Sequence, residues 1–416
     1  MPREIKGSAA KIIPAPIFGR CLSAYHFFLA GLGALLYGYP SRYLLVIGVT
    51  GTKGKTTVTE MINAILEEAG HTTCVMNSIR FKLAERSERN LSRMSMPGRF
   101  FIQKFLQDAL KAGCTAAVLE MTSEGARQHR HRFLDLDALV FTNLAPEHIE
   151  SHGSYEAYAD AKFELGRQLV RSHKRPRIIV ANADDKESSR YLTLPVEHSL
   201  PVSLFAHEPL AADELGGYFT FDVAKISLSL PGTFSLRNAL LSATLSRALG
   251  IRTPVIATAL GRMRNIPGRA ERIDADQDFT IVVDYAHTPD SLAAIYDAYK
   301  HMKKICVLGA SGGGRDTWKR PVMGRIAEEH CNQVILTNED PYDEDPQKII
   351  DEVAGDRNFK KILDRREAIR EAIKSAKNGD TIIITGKGAE PWLMGPNGAK
   401  IPWDDREVVR EELNKI

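Results

Sequence analysis

The chain lacks three features that would assign it quickly to a class: an excess of one charge, paired cysteines and a long apolar run. Lys and Arg number 55 against 52 Asp and Glu, and a formal net charge of +3 is too small to indicate a nucleic-acid-binding protein. The five cysteines are scattered, with no C-x-x-C pair. This pattern argues against a zinc ribbon and a disulfide framework, and it favours a reducing, cytoplasmic compartment.

The apolar segment near the start, residues 27–37, is roughly 11 residues long, well short of the ~20 that span a bilayer. Basic residues precede it, as in a signal peptide, but it leads within a few residues into a predicted buried strand. We expect a helix packed on the neighbouring sheet. A peripheral membrane contact through residues 24–38 is the alternative, and a signal or anchor is the least favoured.

The composition is that of an ordinary globular protein, with 44% hydrophobic and 26% charged residues. At 416 residues the chain can form two or three domains. Strand-like and helix-like stretches alternate up to residue 194, short alternating runs follow at 218–223 and 226–230, and a new series of strands starts at 279. This order predicts an α/β protein with a mostly parallel sheet, followed by a second, Rossmann-like α/β unit. We place the boundaries at 1–43, 44–267 and 268–416.

One glycine-rich stretch carries the clearest chemical signal. The run G-V-T-G-T-K-G-K-T-T (48–57) lies between a predicted buried strand (44–47) and apolar residues at helical spacing (58–66). A strand, a glycine loop and a helix in this order form a phosphate cradle, because backbone N–H groups and the helix N-terminus face the anion. Lys55 can reach the outer phosphates and Thr56 can hold Mg²⁺. The loop has one residue more than the usual P-loop spacing.

Polar residues follow other predicted strands at the edge where ligands bind in open α/β sheets. Glu120 ends one buried strand and is the expected Mg²⁺ partner of a P-loop. His148 and His152 follow the next strand and are candidates for metal or phosphate contact. Asp284 ends the first strand of the second unit, where it suits a ribose or positioning contact. Each of these residues could instead be a solvated strand-end or loop side chain.

Taken together, these motifs resemble the Mur ligase family, whose signature loop has the same extra residue. The matching blocks follow the family's order at 51–57, 142–162, 230–239, 267–271, 284–289, 316–321, 345–346 and 386–388. The resemblance runs from about residue 44 to the C-terminus, and within the family it is nearest to the branch of the UDP-N-acetylmuramoyl-tripeptide synthetases. It therefore implies a P-loop central ATPase domain and a Rossmann-like C-terminal domain.

By this resemblance the protein is an ATP-dependent ligase that joins a peptide or muropeptide carboxylate to an amino acid through an acyl phosphate. It would use ATP and Mg²⁺ and small-molecule substrates, with no nucleic-acid partner.

The resemblance implies nucleotide contacts from Gly51, Thr52, Lys53, Gly54, Lys55, Thr56, Thr57, Asn238, Arg269 and Asp284. The implied metal-binding residues are Thr56, Glu120, His148 and Lys162, the last as a carbamate. Catalytic roles are implied for Lys55, His148, Lys162 and Lys319. The implied substrate-binding residues are Ser95, Arg99, His287, Asp340, Tyr342, Lys387 and Glu390.

The chain also departs from the family pattern in ways that bear on its substrates. Roughly 40 residues precede the P-loop strand, too few for the usual UDP-binding domain, so an acceptor without UDP or one carried on a lipid is an alternative. The Asp-Asn-Pro-Arg motif of the diaminopimelate-adding branch is replaced by E-D-P-Y (339–342), and loss of that arginine disfavours meso-diaminopimelate. The acidic run 339–345 could favour a cationic amine such as lysine, or it could be a solvated loop. The family's Gly-Lys-Gly-His-Glu is G-K-G-A-E (386–390) here.

Three other functions compete with this interpretation. One is amidation of a lipid-linked precursor with a glutaminase partner. The family that does so carries a cysteine zinc ribbon, which the cysteines of this chain do not supply. Another is folate polyglutamylation, which the C-terminal motifs fit less well. The third is a nucleotide-binding scaffold without turnover, which the full set of phosphate and metal candidates argues against.

Overall fold

The computed structural model describes residues 15–147, 149–222 and 224–415, and these form two α/β units. The first unit contains eight strands in one sheet: β1 (Leu45–Thr50), β2 (Thr73–Met76), β3 (Arg80–Leu83), β4 (Arg86–Arg89), β5 (Ala116–Glu120), β6 (Ala138–Phe141), β7 (Ile178–Asn182) and β8 (His198–Val202). Their order is β4-β3-β2-β5-β1-β6-β7-β8. All neighbours are parallel except β3 and β4, which extend one edge as an antiparallel hairpin.

Helices cover both faces of this sheet, as expected for parallel strands that read as continuous apolar runs. The helices are α1 (Ala15–Leu36), α2 (Lys55–Glu68), α3 (Arg99–Lys111), α4 (Ser123–Arg127), α5 (Ile149–His152), α6 (Tyr155–Arg171), α7 (Ser188–Leu192), α8 (Gly232–Ala248) and α9 (Thr253–Arg262). One core packs α2, α8 and α9 on the sheet, and a second core packs α3 and α6 on the opposite face. The unit is therefore a three-layer sandwich.

Three short antiparallel strands lie beside the first unit: β9 (Ala211–Ala212), β10 (Gly217–Phe221) and β11 (Ala224–Leu228). They match the short alternating runs predicted there, although Val223, the last residue of the run 218–223, lies outside the described residues. Single 3-10 turns occupy Pro40–Tyr43, Leu204–Ala206 and Pro396–Gly398.

The second unit has a six-stranded sheet made of β12 (Glu271–Ile273), β13 (Thr280–Asp284), β14 (Lys304–Leu308), β15 (Gln333–Leu336), β16 (Lys360–Lys361) and β17 (Thr381–Thr385). The order is β12-β13-β17-β14-β15-β16, and only β12 is antiparallel to its neighbour. One face carries α10 (Pro289–Ala298), α11 (Lys319–His330) and α12 (Pro346–Ala354), and the other carries α13 (Arg365–Ser375) and α14 (Asp405–Leu413). A hairpin of β18 (Trp392–Met394) and β19 (Lys400–Pro402) follows. The predicted α/β fold is thus confirmed.

The first helix, α1, packs against α3 at the side of the first unit. Its small residues Ala30 and Ala34 are buried, whereas Phe28, Leu35 and Leu36 are each about two-thirds exposed. Among the described residues, no helix combines the length and the apolar character that crossing a bilayer requires.

The structure contains a disulfide that the spacing of the cysteines did not predict. A disulfide joins Cys306 in β14 to Cys331, which follows α11. The two residues are 25 positions apart in the chain, but β14 and β15 are adjacent strands, and α11 returns the chain to the start of β15. The second sheet therefore brings the two thiols together. The other three cysteines are not disulfide-bonded.

Candidate functional site

A large cleft of about 1340 Å³ lies where the carboxyl ends of the two parallel sheets face each other. The first unit contributes the glycine loop after β1, the end of β5 and the loop after β6. The second unit contributes the loops after β13, β14, β15 and β17. Ligands bind at this edge in open α/β sheets, so the topology alone brings the strand-end residues of both units into one site.

The glycine loop is held in a fixed shape by its neighbours. Gly51 and Gly54 have φ of 144° and 82°, in the region that favours glycine. A Cβ on Gly51 would lie 1.9 Å from Thr142 Oγ1, and one on Gly54 would lie 2.5 Å from Asn238 Oδ1. Lys53 N donates to Asn143 Oδ1 at 2.9 Å. The loop therefore passes closely between β6 and α8, and α2 begins directly after it at Lys55.

A carboxylate and three hydroxyls meet beside the start of α2. Glu120 Oε2 accepts from Thr56 Oγ1 at 2.8 Å and from Ser78 N at 3.1 Å, and its Oε1 accepts from Ser95 Oγ at 2.8 Å. Arg269 reaches over from the start of the second unit, donating from Nη2 to Ser78 Oγ at 3.0 Å. Oxygen donors and an arginine are thus concentrated where the loop would present the outer phosphates of a nucleotide.

Lys53 bridges the two units on the other side of the loop. Its Nζ donates to Glu147 Oε1 at 3.1 Å and lies 3.3 Å from His287 Nε2, which is itself 2.8 Å from Glu147 Oε1. Burial lowers the pKa of Lys53, although Glu147 opposes the effect. Burial, and then repulsion from Lys53, lowers the pKa of His287 to about 4. The imidazole is therefore neutral near pH 7. Lys319, at the start of α11, is close enough to contribute to lowering both pKa values.

Lys162 lies beneath the loop and not on the cleft wall. It is 2% exposed, donates from Nζ to Gly51 O at 2.6 Å and lies 4.9 Å over the ring of Tyr158. Burial, followed by repulsion from Lys55, lowers the pKa of Lys162 well below its usual value. The structure thus places a buried amine, with its neutral form favoured, directly behind the phosphate cradle.

Asp284 organises the turn after β13. Its carboxylate accepts from Ala270 N at 2.6 Å and from Ala286 N at 2.7 Å. Burial raises its pKa, although Arg269 opposes that shift. The guanidinium of Arg269 stacks 4.5 Å over the ring of Tyr285. Asp284 therefore fixes the backbone next to Arg269 and Tyr285, and all three residues line the cleft.

Two acids and two bases from different domains form a closed network, and three of its members line the cleft. Arg93 Nη2 lies 2.8 Å from Asp340 Oδ2 and 2.7 Å from Glu390 Oε2. Lys387 Nζ lies 2.8 Å from Asp340 Oδ1 and 2.5 Å from Glu390 Oε2. Tyr285 OH also donates to Glu390 Oε1 at 2.9 Å. Neither acid is left for an incoming cation to pair with.

Other members of the acidic run also have structural partners. Glu344 accepts from Gly314 N at 2.7 Å and pairs with Arg320, and Asp345 caps α12 by accepting from Gln347 N. Glu339 is 2% exposed. Its Oε1 accepts from Ser311 Oγ, and its buried Oε2 accepts no hydrogen bond from the residues that the structure describes. These three carboxylates therefore have partners within the protein, Glu339 in a buried place and Asp345 at the surface.

Most sequence-predicted residues line the cleft. They are Thr52, Lys53, Gly54, Lys55, Thr56, Thr57, Ser95, Glu120, His152, Asn238, Arg269, Asp284, His287, Lys319, Asp340, Tyr342 and Glu390. Four others lie behind or beside its wall: Gly51, Lys162, Lys387 and Arg99. Arg99 points toward α1, where its Nη2 lies 2.7 Å from His26 Nδ1. His148 lies outside the described residues.

Sequence reasoning missed several residues of this cleft. Ser78 follows β2 at the ligand edge, so the strand-end argument that selected Glu120 could have found it. Glu147 adjoins His148 in the same loop. Arg93 carries no local signal, because its partners are more than 240 residues away along the chain.

Comparison with known proteins agrees with this geometry. Residues 49–246 match the model of the Mur ligase middle domain, and residues 268–388 match the Mur ligase, glutamate ligase domain. A UDP-N-acetylmuramyl-tripeptide synthetase of Roseiflexus sp. (strain RS-1) is 36% identical over 419 residues, covering 93% of this chain and 82% of the relative. A UDP-N-acetylmuramoyl-L-alanyl-D-glutamate–2,6-diaminopimelate ligase of Syntrophomonas wolfei is 36% identical over 404 residues, covering 92% and 81%.

Solved structures show the same architecture. A UDP-N-acetylmuramoyl-L-alanyl-D-glutamate–2,6-diaminopimelate ligase superposes with a TM-score of 0.59 at 28% identity, covering 89% of this chain and 78% of that one. The fold is also shared with Mycobacterium tuberculosis folylpolyglutamate synthase, solved with ADP and AMPPCP, at a TM-score of 0.67 and 17% identity over 86% of this chain and 91% of that one. With these family matches, identities and coverages, the chain belongs to the Mur ligase family and is an ATP-dependent ligase that forms amide bonds in peptidoglycan precursor synthesis.

Proposed function

We propose that this ligase adds one amino acid to the peptide carboxylate of a muramoyl dipeptide in the cytoplasm, where ATP is available. The observation that carries the proposal is that the phosphate loop of the first unit and Asp340 and Glu390 of the second unit line the same cleft. The names of the relatives, a tripeptide synthetase and diaminopimelate ligases, support this step of stem assembly. In this arrangement ATP would bind at the phosphate loop, and the amino acid would bind at the Asp340–Glu390 pocket.

The protein's part in this reaction is positioning and charge neutralisation. An acceptor carboxylate attacks the γ-phosphate of ATP and releases ADP, which gives an acyl phosphate. The amine of the amino acid then attacks the acyl carbon, displaces inorganic phosphate and loses a proton to form the amide. Lys55, Arg269 and Lys319 supply positive charge around the transferring phosphoryl group. The acceptor would lie along Ser95, which already donates to Glu120, with His287 toward the domain junction; Arg99, which points toward α1, would not reach it. Asn238 and Asp284 would contact the nucleoside.

The residues around Glu120 fit a magnesium ion. Among the described residues no three His, Cys, Asp or Glu side chains gather into a metal site. However, Mg²⁺ usually takes only one or two carboxylates and completes its shell with phosphates and water. Thr56 and Glu120 would hold the ion, which supplies charge stabilisation for the phosphates. His148 and a carbamate on Lys162 are the candidates for a second ion.

The environment of Lys162 supports its carbamylation. Carbon dioxide reacts with a neutral amine, and burial favours that form of Lys162. The product is an anion, and Lys55, which lowers the pKa of this amine, would then stabilise the carbamate.

The function is tested by ATP-dependent phosphate release with UDP-MurNAc-L-Ala-D-Glu and a panel of amino acids, with products identified by mass spectrometry. A tripeptide product that requires ATP and one amino acid supports the proposal. If no amide product forms with any amino acid, the acceptor is refuted, and lipid-linked muramoyl dipeptides become the next acceptors to assay.

We also propose a peripheral contact of α1 with an anionic membrane surface. The exposed side chains Phe28, Leu35 and Leu36 lie on a helix that carries no acid at either end. Arg99 and Arg132 adjoin the same helix, Arg99 beside His26 and Arg132 over the ring of Phe27. Burial, and then repulsion from Arg171, lowers the pKa of Arg132, although Glu164 opposes the effect. An apolar face flanked by basic groups suits anionic headgroups.

Cosedimentation with phosphatidylglycerol vesicles tests this contact. The double variant Phe28→Ser, Leu35→Ser should lose most of the binding, whereas Phe205→Ser, which removes an equally exposed aromatic elsewhere, should bind as the wild type does. Equal binding by all three proteins would refute the contact.

A further inference from the structure

Arg93 reaches the amino-acid pocket from the opposite domain and is held there by a turn built on a buried asparagine. The turn follows β4 and is organised by Asn90, which is 1% exposed. Its amide donates to Asn77 O at 2.8 Å and Met94 O at 3.1 Å, and its carbonyl accepts from Ser92 N at 3.0 Å. The position of Arg93 is therefore fixed by the fold of the first domain and not by the pocket that it enters.

Inside the pocket, Arg93 completes a ring of alternating charges. Asp340 and Glu390 each lie between Arg93 and Lys387, with all four pairs at 2.5–2.8 Å. The side chain of Lys387 is fully buried, and that of Arg93 is 17% exposed. Two carboxylates and two cations sum to zero. Without Arg93, the same pocket would keep two carboxylates against one lysine.

The ionisation of these groups is consistent with a neutral ring. Burial alone would lower the pKa of Arg93, but Glu390 and Asp340 outweigh it and raise the pKa. Burial opposes the effect of Lys387 and Arg93 on Glu390, and these cations still lower its pKa to about 2. Burial raises the pKa of Glu339, which favours its uncharged form.

We propose that Arg93 sets the net charge of the amino-acid pocket and so selects against amino acids whose side chain is cationic. This deepens the proposed function and rests on it. A cationic side chain finds both carboxylates paired, and it can reach them only by displacing Arg93, which breaks a contact between the domains. A side chain without net charge leaves the ring intact. Arg93 is thus a positioning residue that determines specificity.

The test compares the binding of L-lysine with that of L-norleucine, which has the same length without the ammonium group. Calorimetry in the presence of a non-hydrolysable ATP analogue gives the ratio of the two dissociation constants. In Arg93→Ala, the affinity for lysine relative to norleucine should rise by about tenfold or more. A tenfold change in affinity corresponds to ~1.4 kcal/mol. Arg93→Lys keeps the charge and should stay near the wild-type ratio.

Arg89→Ala is the matched control. Arg89 also crosses between the domains, donating to Ala389 O at 3.0 Å and pairing with Asp404 at 2.8 Å. It touches none of the four residues of the ring, so its loss should leave the lysine-to-norleucine ratio unchanged.

The proposal is overturned if Arg93→Ala changes the ratio by less than twofold, if Arg89→Ala changes it equally, or if neither protein binds either amino acid. These outcomes are separate from the failure of the proposed function. If no amide product forms but the ratio shifts as expected, the charge role of Arg93 stands and the acceptor assignment falls. Thermal melting of each variant establishes that it is folded.

Discussion

Replacement of Glu120 by glutamine should separate its role in folding from its role in catalysis. The carboxylate is 3% exposed and accepts three hydrogen bonds. In Glu120→Gln the amide oxygen can occupy the Oε2 position and keep the bonds from Thr56 Oγ1 and Ser78 N. The amide nitrogen then faces Ser95 Oγ, a hydroxyl that can turn and accept. All three contacts survive, so the free energy of unfolding should change by no more than about 1 kcal/mol.

The same replacement removes the negative charge that would hold a cation at the phosphates. We expect ATP turnover to fall by ~10²–10³, which corresponds to about 3–4 kcal/mol of transition-state stabilisation. Phosphate release measured over a range of magnesium concentrations checks the expected loss of turnover. Urea unfolding without metal checks the expected retention of stability. Glu120→Ala is the comparison, because it leaves three donors without an acceptor and should lose stability as well, by ~1–3 kcal/mol or more. Wild-type turnover and an unchanged magnesium dependence in Glu120→Gln would refute the reasoning.

Three other predictions follow from the cleft. Lys162→Ala should abolish activity, and bicarbonate should partly restore a variant with a weakened Lys162 site; wild-type turnover in Lys162→Ala would exclude the carbamate. Gly54→Ala should weaken nucleotide binding at least ~10-fold, because the new Cβ would lie 2.5 Å from Asn238 Oδ1 at a φ of 82°; unchanged calorimetric affinity would contradict this. The pKa of His287 falls from 6.5 to about 4 on folding, chiefly through burial. The unfolded chain therefore binds the extra proton below pH 6.5, and stability should drop by about 2 kcal/mol between pH 7 and 5. In His287→Gln, the free energy of unfolding measured in urea should fall by about 2 kcal/mol less over the same pH range.

The features that the sequence could predict are those encoded locally. The glycine loop lies between a strand and a helix that are adjacent in the chain, so its pattern is complete within residues 44–66. Glu120 could be selected because a buried strand ends there and parallel strands share one ligand edge. The order of strands and helices likewise predicted the α/β class of both units.

The features that the sequence could not predict depend on contacts between distant segments. Lys162 looks like a surface lysine on a helix, and only family resemblance selected it; its burial comes from packing α6 under the glycine loop. Arg93 meets its partners only when the two domains face each other. Cys306 and Cys331 carry no spacing signal, because strand neighbours in the second sheet, not chain neighbours, bring them together.

The charge ring has a consequence for how this protein can change over evolutionary time. Its four members come from three separate segments, and loss of any one leaves its neighbours with uncompensated charge in a largely buried place. A lineage that drifts from Asp340 to a neutral residue would therefore come under pressure to lose Arg93 or Lys387 as well. We expect these positions to vary together among descendants of this sequence, so that a new amino-acid preference arises by paired replacements on both sides of the domain junction.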